Sequence, residues 1–205
     1  MGVSQDSSKN GSQILSGDMI ENIAKCDENE CKQNWNIPED YSEELRRRNC
    51  NLLNEWAPTI RNIKLIYLGE SPPDSGRYIY DINSKISSKS GSLLSRIFVE
   101  MNDTRRLKEL GERDQKIDPK WKKDLLIDLR KQGIAIIDCC HCSINKHKRE
   151  NWGIQRKQNV NPLLDVASHC FDKYAKLLIK KMPNAKVVPV YDIPREIWNR
   201  FQEQI

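Results

Sequence analysis

The chain is short of what several protein classes require. No apolar run in its 205 residues approaches the roughly 20 residues a membrane-spanning helix needs, so no membrane partner is expected. The opening Met1-Gly2-Val3-Ser4-Gln5-Asp6 has none of the apolar core of a secretory leader, and Asp6 stands where N-myristoylation needs Ser or Thr. A Walker A loop, a dinucleotide-binding glycine fingerprint and a zincin helix are all missing, which leaves nucleoside-triphosphate, dinucleotide and zinc-peptidase chemistry without support. Apolar residues are scarce too. At 38% of the chain, with a mean hydropathy of −0.73, they predict a modest core and some sequence outside it. Seven cysteines, an odd number without an export signal, point to reduced thiols and a cytoplasmic chain rather than a disulfide framework. The charge excess is small: 34 Lys and Arg against 29 Asp and Glu give +5. That suits a nucleic-acid binder with a local basic patch but does not demand one.

What is present alternates. Residues 1–20 are rich in Ser, Asn, Gly and Asp and read as a disordered tail, leaving 21–205 as a single domain. Leu45, Leu52, Leu53 and Trp56 share one helical face before Pro58. Ile63 to Leu68 is a strand that stops at Gly69. Ser90-Gly91-Ser92 opens a helix from Leu93 to Met101, and the charged stretch 103–118 is a linker or a solvated helix. Asp118-Pro119 is a helix start, followed by Trp121, Leu125 and Leu129 at helical spacing up to Gly133. Ile134 to Ile137 forms a buried strand ending at Asp138. Asn161-Pro162 starts a helix carrying Leu163, Val166, Ala167, Cys170, Tyr174, Leu177 and Leu178. Lys186 to Val190 is a further strand, with Pro189 assigning it to a sheet edge, and Asp192-Ile193-Pro194 begins a last helix. Apolar strands alternating with helices predict an α/β fold of three layers, α/β/α, around a small, mostly parallel central sheet. Ligands of open parallel sheets bind beyond the carboxyl ends of the strands, which here are 69–80, 138–150 and 191–194.

Chemistry-bearing residues cluster in those segments. Glu70 follows a buried strand and precedes Ser71, Pro72 and Pro73. A carboxylate at a strand tip on a proline-stiffened loop can orient water, or it can cap a neighbouring helix or meet a surface arginine. Arg77, Tyr78 and Tyr80 place a cation beside aromatic faces, a combination suited to phosphate and base stacking; the alternative packs one ring on the core and turns the other to water. Cys139-Cys140-His141-Cys142 behind Asp138, with Cys26 and Cys31, could bind metal, but adjacent cysteines also serve as small buried hydrophobes. Lys146, His147, Lys148, Arg149, Arg156 and Lys157 surround Trp152 in the most basic loop, either a nucleic-acid surface or a solvated loop with the indole folded back. Ser90-Gly91-Ser92 could hold a phosphate on free backbone N–H groups or simply cap its helix.

Ile66-Tyr67-Leu68-Gly69-Glu70-Ser71-Pro72-Pro73 resembles the first motif of the uracil-DNA glycosylase superfamily, in its Gly-Glu-Ala-Pro-Gly branch. Ile136-Ile137-Asp138-Cys139-Cys140-His141-Cys142-Ser143-Ile144-Asn145-Lys146 is similar to that family's strand-end segment, where an Asn reads the extruded base. The resemblance implies a DNA partner and hydrolysis of the N-glycosidic bond of a damaged or deaminated base. Under it Glu70 and Asp138 are the catalytic residues. Gly69, Ser71, Pro72, Tyr78, Tyr80 and Asn145 line the substrate, and Arg77, Lys146, Lys148, Arg149, Trp152 and Arg156 hold nucleic acid. Pro73 replaces the family's glycine, and Asp138 replaces Asn, so an ionised Asp138 has no donor for a uracil carbonyl. The branch's four-cysteine pattern is incomplete, and neither a metal nor another cofactor is expected. No His-Pro-Ser-type loop follows the helix after Lys186–Val190, which keeps open an alternative: a non-catalytic nucleic-acid-binding or protein-interaction module on the same scaffold.

Overall fold

Three short apolar segments separated by helical crossovers cannot pair through tight turns, so they are constrained to run parallel. The computed structural model describes residues 13–26, 43–71, 78–141 and 162–203. In chain order the elements are α1 (Gly17–Ala24), α2 (Glu43–Trp56), a 3₁₀ turn (Ile60–Asn62), β1 (Leu65–Gly69), α3 (Leu93–Glu100), α4 (Thr104–Glu112), α5 (Pro119–Gln132) and β2 (Ile134–Asp138). After these come α6 (Pro162–Cys170), a π-helical turn (Phe171–Ala175), α7 (Lys176–Lys180), β3 (Lys186–Pro189) and α8 (Asp192–Gln202). The three strands form an open, all-parallel sheet in the order β2-β1-β3, the centre of a small three-layer α/β fold.

Local chemistry sets several boundaries. Asp118 accepts a hydrogen bond from Trp121 N, Pro119 takes the first turn of α5, and Gly133 ends the helix at φ +74°. A side chain on Gly133 would collide with the Asn62 carbonyl, so this glycine is needed for space as well as for its left-handed backbone. Pro189 lies on an edge strand, as its missing N–H requires. Lys186 N donates to Lys64 O and Val190 N to Leu68 O, so the alternation turns the nitrogen of Pro189 outward. The stretch 103–118 contains α4, capped by Asp103, whose side chain accepts from Arg106 N.

Two expectations are corrected, and the buried face of α2, where Leu53 is buried and Leu52 and Trp56 pack against the core, extends to polar residues. Residues 13–20 are not tail: Ile14 and Leu15 are buried, α1 spans Gly17–Ala24, and Leu15 is tied to Asn54 of α2 through its N–H and its carbonyl, at 2.9 and 3.2 Å. Two consecutive large aliphatics in a polar stretch carried that signal. The buried residues of α2 are Arg46, Asn49, Cys50 and Leu53, and Arg46 belongs there because its guanidinium donates twice to the Ala24 carbonyl at the end of α1. Leu177 is 51% exposed while Leu178 is buried, because the π-helical turn adds a residue and rotates the following face by about 100°.

β2 is an edge strand, yet every residue in it is buried. The segment after β1 covers it. Tyr80 is the keystone: its hydroxyl donates to the Ile136 carbonyl at 3.2 Å and accepts from the Ile136 N–H at 2.8 Å. One phenol thereby satisfies both outward backbone groups in the middle of an exposed ladder. Tyr80→Phe should cost about 1–3 kcal/mol in urea unfolding and accelerate exchange of the Ile136 amide, since both groups lose their partner in a buried setting.

Candidate functional site

Register brings the two acidic positions together. Gly69 pairs with Asp138 across β1 and β2, and the pairing runs on past the strand tips, with Cys139 N donating to Gly69 O at 2.9 Å and Cys140 N to Glu70 O at 3.0 Å. Glu70 is half-buried, whereas Asp138 is only 8% exposed. The Asp138 carboxyl leans across the neighbouring strand into the space a side chain at position 69 would fill; a Cβ there would strike Oδ1. Glycine at the end of β1 thus lets the Asp138 carboxyl lie where a side chain would displace it. No described residue donates a hydrogen bond to the carboxyl. Burial, and then the Glu70 charge, push Asp138 from the usual 3.8 up to about 7.

Three tyrosines surround this edge. Tyr78 and Tyr80 meet edge to face with centroids 5.7 Å apart, both buried. The alternative to stacking, one packed and one solvated ring, does not hold, because both rings are packed. The Tyr80 hydroxyl is committed to β2, and burial holds the Tyr80 phenol high. Tyr78 is raised well above its ordinary range, by burial and then by the nearby Asp138 charge. Tyr191, immediately after Val190 at the tip of β3, was not singled out by the sequence. Its ring lies 4.7 Å beneath the Arg96 guanidinium and its hydroxyl donates to Gly91 O at 3.2 Å. Burial raises it to about 12; Arg96 opposes the rise, and the Asp138 and Glu70 charges add to it. Tyr191 is thus within electrostatic reach of both carboxyls and belongs to the same edge. Its signal was positional, one residue beyond the third strand.

The other expected residues fall into two groups. Gly69 and Ser71 stand at the tip of β1 beside Glu70. Pro72, Arg77, Asn145, Lys146, Lys148, Arg149, Trp152 and Arg156 lie outside the described residues. Ser92 does its ordinary work as a cap, accepting from Ser95 N and donating to Ser87 O at 2.9 Å. Cys139, Cys140 and Cys170 are buried free thiols, with His141 N donating to Cys170 Sγ at 3.4 Å. Cys31 and Cys142 are outside the described residues. Among the described residues no three His, Cys, Asp or Glu side chains are grouped as a metal ion would need. No helix of the described residues is long and apolar enough to cross a membrane.

His141, three residues beyond Asp138, is buried edge-on against Tyr174 at 5.7 Å, and its Nε2 has no hydrogen-bond partner among the described residues. Burial lowers it from 6.5 to about 4.

No protein-family model matches the chain, and neither a curated protein nor a solved structure is significantly similar to it.

Asp138 and His141 have opposite effects on stability. The folded state holds the Asp138 proton more tightly than the unfolded chain, so that contribution is full below 3.8 and is lost as pH rises to about 7. It holds the His141 proton less tightly, so that contribution is full above 6.5 and is lost as pH falls to about 4. Between pH 4 and 6.5 the two slopes cancel. Asp138→Asn should therefore uncover a loss of stability toward acid, of up to about 1.4 kcal/mol per pH unit relative to wild type, and His141→Gln a gain of opposite sign. Urea unfolding of the three proteins across this window checks both, and parallel curves would contradict the assignment.

Proposed function

We propose that this chain is a uracil-DNA glycosylase-like protein that hydrolyses the N-glycosidic bond of a deaminated base in DNA. The observation that carries the reading is the pair of carboxyls at adjacent strand tips: Glu70, half-buried, and Asp138, sunk over Gly69 and partly protonated near neutrality. A carboxyl perturbed by burial beside a second carboxyl, at the carboxyl edge of a parallel sheet, is what acid–base and electrostatic catalysis draws on. The resemblance of residues 66–73 and 136–146 to the family's motifs supplies the reaction class.

The two groups divide the work. A water oxygen bonds to C1′, the C1′–N bond breaks with its electron pair leaving on the base, and the water's proton ends on the departing base. Glu70 orients the water and faces the positive charge that develops on the sugar. Neutral Asp138 presents an O–H donor and a carbonyl acceptor on one edge. That pattern matches a base with a carbonyl beside a ring N–H, such as uracil, hypoxanthine or xanthine. The protonated acid thus stands in for the amide the family uses, and removes the objection that an ionised Asp has no donor.

Burial of Tyr78 and commitment of the Tyr80 hydroxyl favour a second reading, a module that binds nucleic acid without excising a base, because neither ring stands free to stack. Duplex and single-stranded oligonucleotides carrying each base, assayed for release by cleavage at abasic sites, separate the two. Base release should fall at least 100-fold in Glu70→Gln. It should decline in wild type as pH rises through about 7 but stay level in Asp138→Asn, which keeps donor and acceptor without titrating. Release from no substrate, with DNA bound in a salt-dependent way, selects the second reading; release unchanged in Glu70→Gln removes that residue from the mechanism.

A further inference from the structure

One of the largest fully buried side chains is a lysine. Lys122, on α5, is 1% exposed. A buried ammonium is tolerated only when its N–H bonds find acceptors. Nζ donates to the Tyr78 carbonyl at 3.1 Å, to the Asp81 carbonyl at 2.7 Å and to the Ser84 hydroxyl. All three acceptors belong to the segment that covers β2. Within it, Asp81 N donates to Tyr78 O at 3.1 Å, Ser84 N donates to Asp81 O at 3.0 Å, and the Ser84 hydroxyl lies 2.9 and 2.8 Å from the same two carbonyls. Residues 78–84 are thus a pair of turns closed around a cation supplied by a different element. On the outside, the Asp81 carboxylate accepts from Arg48 at 2.6 Å and from Asn83 N at 3.0 Å.

This segment carries both Tyr78, beside Asp138, and Tyr80, on the outer edge of β2. We propose that Lys122 is a positioning residue: its ammonium clamps residues 78–84 shut and so holds Tyr78 and Tyr80 in place at the Asp138 edge. It touches no reacting atom. Its catalytic value rests on the reading of Glu70 and Asp138 as the reacting pair; the clamp itself does not.

Burial lowers Lys122 to about 8, with the Asp81 charge opposing. The charged and titratable groups around the segment are Asp81 with its partner Arg48, the Tyr78 and Tyr80 phenols, and Cys50, whose charge bears on Tyr78. When the ammonium is removed, the Tyr78 and Asp81 carbonyls keep the Asp81 and Ser84 N–H donors, so the loss falls on the closure of the segment. Lys122→Met keeps the stem and removes the donors, so it separates positioning from bulk stability.

Amide hydrogen exchange reads the clamp directly. In Lys122→Met the amides of residues 79–84 and of Ile136 should exchange at least tenfold faster, while the Lys186 amide, which pairs β3 with β1, keeps its protection. Near-ultraviolet titration should then find Tyr78 and Tyr80 ionising closer to the ordinary 10.0. Ser84→Ala, which leaves the lysine in place but removes one acceptor, should accelerate the same amides to a smaller degree, and it decides the matter if Lys122→Met does not fold. Unchanged exchange at 79–84 and Ile136 overturns the proposal, as does equal acceleration in every strand. A clamp that loosens as described, in a protein whose wild type releases no base, leaves Lys122 its role and overturns the reacting pair instead.

Discussion

The parallel pairing of β1 with β2 is the constraint on which the candidate site depends. Its register sets Gly69 opposite Asp138, and the absence of a side chain at Gly69 gives the Asp138 carboxyl room across the adjacent strand. Cys139 and Cys140 extend the pairing to Gly69 and Glu70, so main-chain hydrogen bonds hold the backbone at both strand tips. A carboxyl enclosed in this way, with no donor among the described residues, is poorly compensated when ionised, and the adjacent Glu70 charge adds to the cost.

The rest of the edge is arranged around that buried group. From the loop after β1 come Tyr78 and Tyr80, from the tip of β3 comes Tyr191, and α3 supplies Arg96 above the Tyr191 ring. Tyr80 also solves a structural problem, since a strand buried on both faces at the border of a sheet must have its outward backbone groups satisfied. One segment therefore seals β2 and walls the site, and its own closure depends on a lysine from the helix that precedes β2.

Much of the architecture was legible in the residues because its signals are local. Asp118-Pro119 and Gly133 bracket α5, Pro189 identifies an edge strand, and apolar runs ending in Gly69 and Asp138 mark strand tips. The pairing of Glu70 with Asp138 could be anticipated from position alone, because residues at the carboxyl ends of parallel strands share one edge. What escaped reading depends on contacts distant in sequence. Arg46 looks like a surface charge until the Ala24 carbonyl is found beneath it, and Lys122 looks like one until residues 78–84 close over it. Ile14 and Leu15 lie in a polar stretch whose composition hides them, and the π-helical turn at Phe171–Ala175 rotates a face that regular periodicity would have set otherwise. The burial of Tyr78 and Tyr80 comes from contacts made after β1, with the Tyr80 hydroxyl on β2, which no spacing in the chain records.

Carbon-13 NMR of the Asp138 side-chain carboxyl, titrated in wild type and in Glu70→Gln, tests the central claim most directly. The account predicts a midpoint near 7 in wild type and a lower one when the Glu70 charge is removed, with burial keeping the variant above the ordinary value. A wild-type midpoint at the usual 3.8 would mean that the carboxyl is solvated and not enclosed over Gly69, and would contradict the account.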